Sequence, residues 1–479
     1  MYNTVLAVVG AAVAVTYLAL SYPKTPLRAA PGPAVIKTGI RKPWLWFHEL
    51  TKEYGDVVYL QMGPTPTIIL GSAQAAWDLL EKRGAIYSSR PRFVMGGELL
   101  SNGLRGLMAP YGPFWRRWRK LLHSGFMQRR SETYRPIQSL ESKALMRDLL
   151  EDPADYRRHL ERYAASVIVT VTYGRRVLDV RNDVVVKGNA ESMERLTQVN
   201  IPGKYAVERY PALRHVPSYL APWKAEVLAQ RQKDIQLYTT LMNEVKAKSL
   251  GMTDLELAYT AGSPFGAGVE TSAGSLASFL LACVKFGPQF IPKAQAELDR
   301  VVGPDRLPTF DDLNDLEYIR AITSETLRWR PVAVLGGTLT PAPLMTITVA
   351  CSSPRAAPSL PLSVHLNEAD YPNPHEFKPE RFLEKREYPG PWGHSAFGWG
   401  RRVCPGMHLG SSSGEDIDVD MLTPSVNSFA YTDGFNSLPL PFSCDITPRS
   451  ERHAQVIKKE YEASLDELQS YTVANNTLS

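Results

Sequence analysis

The sequence predicts a mainly α-helical fold with a small β-sheet region, as a single large domain behind an N-terminal transmembrane helix. Residues 2–22 carry no charge and are mostly Val, Ala and Leu, and a run of about 20 apolar residues matches the hydrocarbon thickness of a bilayer. Two short segments, 56–60 and 67–70, are rich in Val, Tyr and Ile and flank Gly63-Pro64, as expected for strands. Helical periodicity dominates the rest of the chain.

Composition limits the classes of protein that this chain can be. Its 479 residues are 44% apolar, which is enough to bury one large core without disulfides. The four cysteines are widely spaced and form no CxxC pair, which argues against a zinc site and favours a reducing compartment; they are Cys283, Cys351, Cys404 and Cys444. A net charge of +5 suits an acidic protein partner or an anionic membrane surface, and we expect no nucleic-acid partner.

The chain is expected to have three parts: a membrane anchor at 2–22, a proline-rich linker at 23–33 and a domain at 34–479. The alternative for the first part is a cleaved secretory signal, but such signals begin with a basic region, and none precedes this segment. Positive charge follows it and should keep the domain cytosolic. The basic residues are Lys24, Arg28, Lys37, Arg41 and Lys42.

A long helix is expected to cross the domain. It should begin at Thr253, which has Glu256 at capping-box spacing, and end at Gly287-Pro288 after about 50 Å, by the rise of an α-helix. Pro264, Gly266 and Gly268 should bend it. Shorter helices are predicted by periodicity at 75–83, 115–126, 138–151, 155–171, 223–248, 292–301 and 315–329.

One cysteine lies in an unusual loop, Phe397-Gly-Trp-Gly-Arg-Arg-Val-Cys-Pro-Gly406. Glycines let the backbone approach a ligand closely, and backbone N–H groups can donate to a metal-bound thiolate. On residue type alone, a single Cys in a Gly/Arg loop is more often structural than a ligand. The loop therefore makes Cys404 a candidate metal ligand, but residue type alone does not establish that role.

Three other patterns are ambiguous when taken one at a time. Glu325-Thr-Leu-Arg328 places opposite charges at i, i+3, which is an ordinary helical ion pair. Ala267-Gly-Val-Glu-Thr-Ser272 lies within the long helix, where a threonine usually bonds back to its own backbone. Trp115 and Arg119 are four residues apart and share a helix face, and a basic helix face is usually just solvated.

Taken together, these motifs resemble those of the cytochrome P450 superfamily. The loop matches the family's F-x-x-G-x-R-x-C-x-G pattern at each fixed position, namely Phe397, Gly400, Arg402, Cys404 and Gly406. The Glu325 motif, Pro379-Glu-Arg-Phe382 and this loop follow in the family's order, so the resemblance covers nearly the whole chain. It implies the cytochrome P450 fold, with haem b bound and Cys404 as the axial ligand of the haem iron.

The resemblance also implies roles for residues outside the loop. Glu325, Arg328 and Arg381 would form a structural core behind the haem. Trp115 and Arg119 would reach a haem propionate, while Arg116, Arg117 and Lys120 would point elsewhere, on the side where an acidic flavoprotein reductase docks. In the long helix, Gly268 would leave room for dioxygen, Thr271 would donate a hydrogen bond at the oxygen site, and Glu270 would serve a proton relay.

The function implied is that of a haem-dependent monooxygenase. It would insert one atom of O2 into a small hydrophobic substrate, with NADPH electrons from a separate reductase, as a single-pass protein of the endoplasmic reticulum membrane with a cytosolic catalytic domain. Residues 431–437 and 448–450 resemble filamentous-fungal microsomal members, which suggests secondary metabolism. Substrate contacts are expected in 93–108, 200–217 and 332–337.

Two segments depart from the family pattern. Residues 339–364 hold five prolines in place of a strand pair. Residues 409–420 are polar where the family has a long helix under the haem, so no such helix is expected. Two alternatives therefore stay open: a haem-thiolate isomerase or peroxide-driven enzyme, which Glu270-Thr271 disfavours, and an inactive product of a faulty gene model that binds no haem.

We predict that 339–364 is an out-of-frame translation and that a coding segment is missing near Ser411. Family-like sequence stops after Thr338 and resumes at His365 after about the expected length, which compensating frame slips or misplaced splice boundaries produce. Loss of a packed helix would cost a marginally stable domain many kcal/mol at roughly 25 cal/mol per Å². Sequencing the mature transcript should reveal an extra helix of about twenty residues. A transcript encoding this chain as written, with a thiolate–haem spectrum from its product, would contradict the idea.

Overall fold

The longest element of the protein is a helix of 48 residues, Asp254–Val301, which spans about 72 Å at the usual rise per residue. It begins with the expected capping box: Thr253 Oγ1 accepts from the Glu256 backbone at 3.2 Å, and the Thr253 backbone donates to Glu256 at 2.8 Å. The computed structural model describes residues 31–33, 42–62, 65–201, 203–243, 251–334, 364–384, 393–412, 421–422, 430–432 and 436–473.

This element is α10 among the described α-helices. In chain order they are α1 (Pro43–Tyr54), α2 (Ala73–Ala76), α3 (Pro113–Phe126), α4 (Gln128–Glu132), α5 (Arg135–Glu151), α6 (Tyr156–Tyr173), α7 (Val184–Val199), α8 (Ala206–Arg209), α9 (Pro222–Asn243), α10 (Asp254–Val301), α11 (Glu317–Trp329), α12 (Met407–Ser412) and α13 (Glu451–Val473).

The strands form two small antiparallel pairs. Strand β1 (Val57–Met62) pairs with β2 (Thr65–Leu70), with Val57 opposite Leu70. Strand β3 (Met421–Leu422) pairs with β4 (Asp445–Ile446). The predicted fold class, mainly helical with a small β-sheet region near the N-terminus, is confirmed.

The main apolar core lies where α5, α6 and α11 pack against the C-terminal half of α10. Its aromatic side chains come from distant parts of the chain: Phe290 of α10 lies 4.8 Å from Phe377, and Phe286 lies 5.6 Å from Trp329, measured between ring centroids. Contacts at this spacing stabilise the packing beyond simple burial. The core therefore fixes α10 against α11 and against the segment that carries Phe377.

The predicted end of the long helix at Gly287-Pro288 is wrong. Helix α10 continues through Pro288 and Pro292 to Val301, so the helix expected at 292–301 is its last part. An internal proline loses one backbone hydrogen bond and costs about 3 kcal/mol. Phe290, Ile291 and Ala294, just beyond Pro288, are buried in the main core, and this tertiary packing outweighs the local preference to stop.

One other expectation needs correction. The helix expected at 75–83 begins earlier, at Ala73, and changes to a π-helical turn over Trp77–Glu81. After the cysteine loop, where no long helix was expected, a short helix of six residues is present, α12 (Met407–Ser412), in which Leu409 and Ser411 are buried. Residues 413–420 lie outside the described residues.

Several sequence predictions cannot be compared with the structure. The anchor at 2–22 and most of the linker at 23–33 lie outside the described residues, as does 339–364 except for buried Val364. Among the residues that are described, α10 alone is long and apolar enough to cross a membrane, and 61% of its most apolar stretch is buried inside the protein.

A buried ion-pair network joins α11 to the segment 364–384. Arg328 and Glu325 have no exposed side-chain surface and form two short hydrogen bonds, of 2.6 and 2.8 Å. Glu325 also accepts from Arg381 at 3.1 Å and from the Lys378 backbone at 2.8 Å. Arg328 donates further to the carbonyls of His365, Pro374 and Glu376.

We predict that Glu325→Ala destabilises the protein by about 3–5 kcal/mol, because it leaves two buried guanidiniums without their carboxylate. Urea denaturation followed by circular dichroism measures the change. Lys293→Ala is the matched control: it removes a surface ion pair to Glu380, with side chains 57% and 42% exposed, and should cost less than about 1 kcal/mol. Equal effects of the two substitutions would contradict a structural role for Glu325.

Candidate active site

The cysteine loop is held by hydrogen bonds within itself and to neighbouring elements. The Cys404 backbone N–H donates to the Phe397 carbonyl at 2.8 Å, so the loop closes on itself around the thiol. The Gly400 N–H donates to the Glu81 carboxylate at 2.7 Å. This second bond attaches the loop to the end of the π-helical turn that follows α2.

Glycine is required at position 400 for two reasons. Its φ of +58° lies in the left-handed region, which residues with a Cβ rarely adopt. A Cβ there would also come within 2.2 Å of the Leu80 carbonyl oxygen. The Gly400 position of the motif is therefore explained by the backbone geometry of the loop.

The Cys404 thiol lines a cavity of about 370 Å³ that lies between the cysteine loop and α10. Burial raises the pKa of Cys404, while a hydrogen bond from the Gly406 backbone and the charge of Arg119 act to lower it. A thiol in this position stays protonated unless a cation binds to it. A bound metal ion would have to displace that proton, and the Gly406 N–H directed at the sulfur would stabilise the resulting thiolate.

Three arginines line the same cavity and interact with one another. Burial, followed by the charges of Arg90 and Arg119, lowers the pKa of Arg402 to about 8, and burial lowers the pKa of Arg90 to about 10. Arg402 donates to the carbonyls of Ser88, Gly106 and Ala109. Within the described residues none of these arginines has a carboxylate partner, so their charges call for an anionic ligand.

Trp115 and Arg119, the predicted propionate contacts, both line this cavity. Trp115 is buried, and its indole Nε1 has no hydrogen-bond partner. The Arg402 guanidinium lies over the Trp115 ring at 4.2 Å, and Arg119 donates to the Val403 carbonyl. The unpaired Trp115 N–H and the neighbouring arginines, which have no carboxylate partner among the described residues, are suited to binding the two propionates of a haem. The Cys404 thiol is suited to binding its iron.

The central part of α10 forms another wall of the cavity, with Gly268 and Thr271 among its lining residues. The Thr271 hydroxyl donates to the Ala267 carbonyl at 2.6 Å, the usual arrangement for a threonine within a helix. A Cβ on Gly268 would come within 2.7 Å of the Ile168 side chain of α6. Close helix packing is therefore one reason for glycine at this position.

Glu270 does not line the cavity and is held beside it. Its carboxylate accepts a 2.6 Å hydrogen bond from the Asn436 side-chain amide. Asn436 itself lines the cavity together with Thr271, and its chain position is fixed by a bond from the Ser437 N–H to the Val332 carbonyl at 2.9 Å. Asn436 thus separates Glu270 from the cavity.

The expected substrate contacts are partly wrong. Residues of 93–108 and of 332–337 line the cavity, but no described residue of 200–217 does; Met193 and Leu196 of α7 take that place. Sequence reasoning also missed Arg90 and Asn436. Neither belongs to a spaced motif, although Asn436 lies in the 431–437 phrase that was noted for its resemblance to fungal proteins.

Comparisons with known proteins agree with this geometry. Residues 34–413 match the family model described as Cytochrome P450. Cytochrome P450 monooxygenase 58 of Postia placenta is 32% identical over 87% of this chain and 86% of its own length. A cytochrome P450 monooxygenase of Armillaria gallica is 33% identical, covering 94% and 96%. The monooxygenase aneD of Aspergillus aculeatus is 32% identical, covering 89% of each.

Solved structures show the same fold. A zebrafish cytochrome P450 with abiraterone covers 85% of this chain and 100% of its own, with a TM-score of 0.61 and 23% identity. A zebrafish cytochrome P450 with progesterone gives a TM-score of 0.62 at 21% identity, covering 85% and 99%. The chain therefore belongs to the cytochrome P450 family, which confirms the resemblance drawn from its motifs.

The alignments with the curated relatives contain gaps in this chain, because each alignment has more positions than the number of residues of this chain that it covers. The Armillaria alignment, for example, runs over 514 positions, more than the 479 residues of the whole chain. The relative therefore has residues without a counterpart here.

Proposed function

We propose that the protein is a haem-dependent monooxygenase that inserts one atom of O2 into a small hydrophobic substrate, using NADPH electrons from a separate flavoprotein reductase. One observation carries the proposal: a single cavity is lined by the Cys404 thiol, by uncompensated arginines and by Thr271 of α10. The thiol would bind iron, and the arginines would bind an anionic cofactor. The Thr271 hydroxyl would lie beside the part of the cavity that the cofactor leaves free. The relatives described above are all cytochrome P450 monooxygenases by name, and they support the same activity.

Haem b is the cofactor that these residues would hold. Cys404 would be the axial ligand of its iron, with Phe397 and Gly406 shaping the loop around the sulfur. Trp115, Arg119 and Arg402 would donate to its propionates. When bound, haem supplies the activation of dioxygen, which thiolate ligation favours in P450 enzymes generally by donating electron density to the iron.

Proton delivery would fall to Thr271, Glu270 and Asn436. Monooxygenase chemistry consumes two protons, which a hydroxyl and an acid beside the cavity can supply. The Thr271 hydroxyl donates its one proton to the Ala267 carbonyl at 2.6 Å, so donation at the oxygen site would require the hydroxyl to rotate away from that carbonyl. The Asn436 amide holds the Glu270 carboxylate just outside the cavity, so Asn436 would act as a positioning residue for that acid.

The reductase would dock on the exposed basic surface around α3 and α4. Arg116, Lys120, Arg129 and Arg130 are exposed there, whereas Arg117 is paired with Glu256 at 2.9 Å. Like-charge clusters of this kind attract an acidic partner and raise the association rate. Residues 2–22 would anchor the protein in the endoplasmic reticulum membrane, and the resemblance of 431–437 and 448–450 to filamentous-fungal microsomal members suggests a role in secondary metabolism.

We predict that Cys404→Ser abolishes the red-shifted carbon-monoxide band of the reduced protein, because a serine hydroxyl stays protonated and is a poor donor to iron. The difference spectrum of reduced membranes measures it. Cys283→Ser is the matched control, since Cys283 is buried in the main core away from the loop. A red-shifted band that survives in Cys404→Ser contradicts the ligand assignment, and its absence from the unaltered protein contradicts the proposed function.

We predict that Thr271→Ala retains haem but lowers the ratio of product formed to NADPH consumed, with the missing electrons recovered as hydrogen peroxide. The hydroxyl that organises proton delivery is lost, while the fold is kept. Ser275→Ala, one helical turn further on and with a similar backbone hydrogen bond of 2.9 Å, should leave the ratio unchanged. An unchanged ratio in Thr271→Ala removes this residue from the mechanism, and Thr271→Ser should restore most of the coupling.

A further inference from the structure

A further arginine, Arg105, lines the cavity and retains unused hydrogen-bonding capacity. Its Nη2 donates to Ser192 at 2.6 Å and to Asp234 at 3.2 Å. Its Nη1 has only the thioether of Met193, at 3.9 Å, and its Nε is buried with no partner. A guanidinium has five N–H donors, so this side chain can bind a further oxygen acceptor.

Arg105 is separate from the three arginines beside Cys404. Its ion-pair partner is Asp234 of α9, and its guanidinium lies 5.7 Å from the centre of the Tyr238 ring. The neighbouring lining residues Met193 and Leu196 come from α7. Arg105 therefore belongs to the part of the cavity that is walled by α7 and α9, outside the cysteine loop.

The buried charges around Arg105 do not balance. Asp234 has no exposed side-chain surface, and it pairs with Arg195 at 2.8 Å as well as with Arg105. One buried carboxylate thus serves two guanidiniums, and the other partner of Arg195, Glu191, is 67% exposed and screened by solvent. No Asp or Glu occurs among the described residues that line the cavity, so an excess positive charge faces its interior.

The wall around this charge is largely apolar and aromatic. Arg105 is only 13% exposed, and Leu196, Trp118 and Tyr259 lie along the same cavity. Water is largely excluded from such a surface, which strengthens the attraction between a cation and a ligand anion. A ligand that combines an apolar body with one anionic group matches both properties.

We propose that the substrate is an apolar carboxylic acid whose carboxylate binds Arg105. This inference rests on the proposed monooxygenase function, because it assigns the substrate of that same cavity. Asp234 holds the guanidinium in place through Nη2, which leaves Nη1 for the carboxylate. The apolar body of the acid then occupies the rest of the cavity, whose wall includes Thr271 and Cys404.

The test compares carboxylic acids with their neutral, nearly isosteric primary amides. Decanoic acid, 4-phenylbutanoic acid and biphenyl-4-carboxylic acid, each with its amide, are titrated into the full-length protein in detergent at pH 7.5. Binding is read as the spectral change on loss of iron-bound water and as the shift in thermal midpoint. At least one acid should bind about tenfold or more tightly than its amide, as for a charged hydrogen bond in a buried site.

Variants assign the preference to the residue. Arg105→Gln should abolish the preference for acid over amide, and Arg105→Lys should keep part of it. Arg195→Gln is the matched control, because Arg195 shares Asp234 but does not line the cavity; it should keep the preference. Carbon-monoxide spectra of all variants establish whether haem binding is unaffected.

Three results overturn the proposal: no acid binds, acids and amides bind equally, or the preference survives in Arg105→Gln. Loss of the carbon-monoxide band in Arg105→Gln also overturns it, because Arg105 would then serve the cofactor. Failure of the proposed function looks different: the unaltered protein has no thiolate–haem band. Thermal stabilisation by an acid, absent in Arg105→Gln, would still support the binding site in that case.

Discussion

The guanidinium of Arg328 is a charge without access to solvent, and the positions of the elements behind the cysteine loop depend on it. It donates two hydrogen bonds to Glu325 and three to backbone carbonyls of 365–376. Because a buried cation must be fully partnered, this segment is held against α11. His365 in turn accepts from the Ser395 N–H at 3.0 Å, only two residues before the loop begins. The position of Cys404 thus depends on the Arg328–Glu325 ion pair, although neither of these residues lines the cavity.

Electrostatics give the cavity its chemical character. Cations stand at two places: Arg90, Arg119, Arg401 and Arg402 near the cysteine loop, and Arg105 between α7 and α9. In the function proposed above, the first group would meet the charge of an anionic cofactor, and Arg105 would bind an anionic group on the substrate. Between them the walls are apolar, which excludes water and strengthens both attractions. A cavity of this kind selects ligands by charge at its ends and by shape along its length.

Helix α10 connects the core to the chemistry. Its C-terminal half is buried among aromatic side chains and passes through two prolines without ending, while its central part presents Thr271 to the cavity. A long element held rigidly at one end can keep a reactive side chain in place at its middle. Asn436 comes from the far end of the chain to hold Glu270 beside it, so the position of this carboxylate depends on a contact across 166 residues.

The sequence by itself determined the family, the position of the candidate cysteine ligand and the Glu325–Arg328 ion pair, because these depend on side chains at short, fixed spacings within one loop or one helix. The capping box at Thr253 and most helix positions were predictable for the same reason. Tertiary structure alone decided that α10 continues past Pro288, since the burial of Phe290 and Ile291 outweighs a local signal. It alone brought Arg90 and Asn436 to the cavity and placed Asp234 beside Arg105. These residues lie far apart in the chain and carry no shared motif, so their chemistry exists only where the fold brings them together.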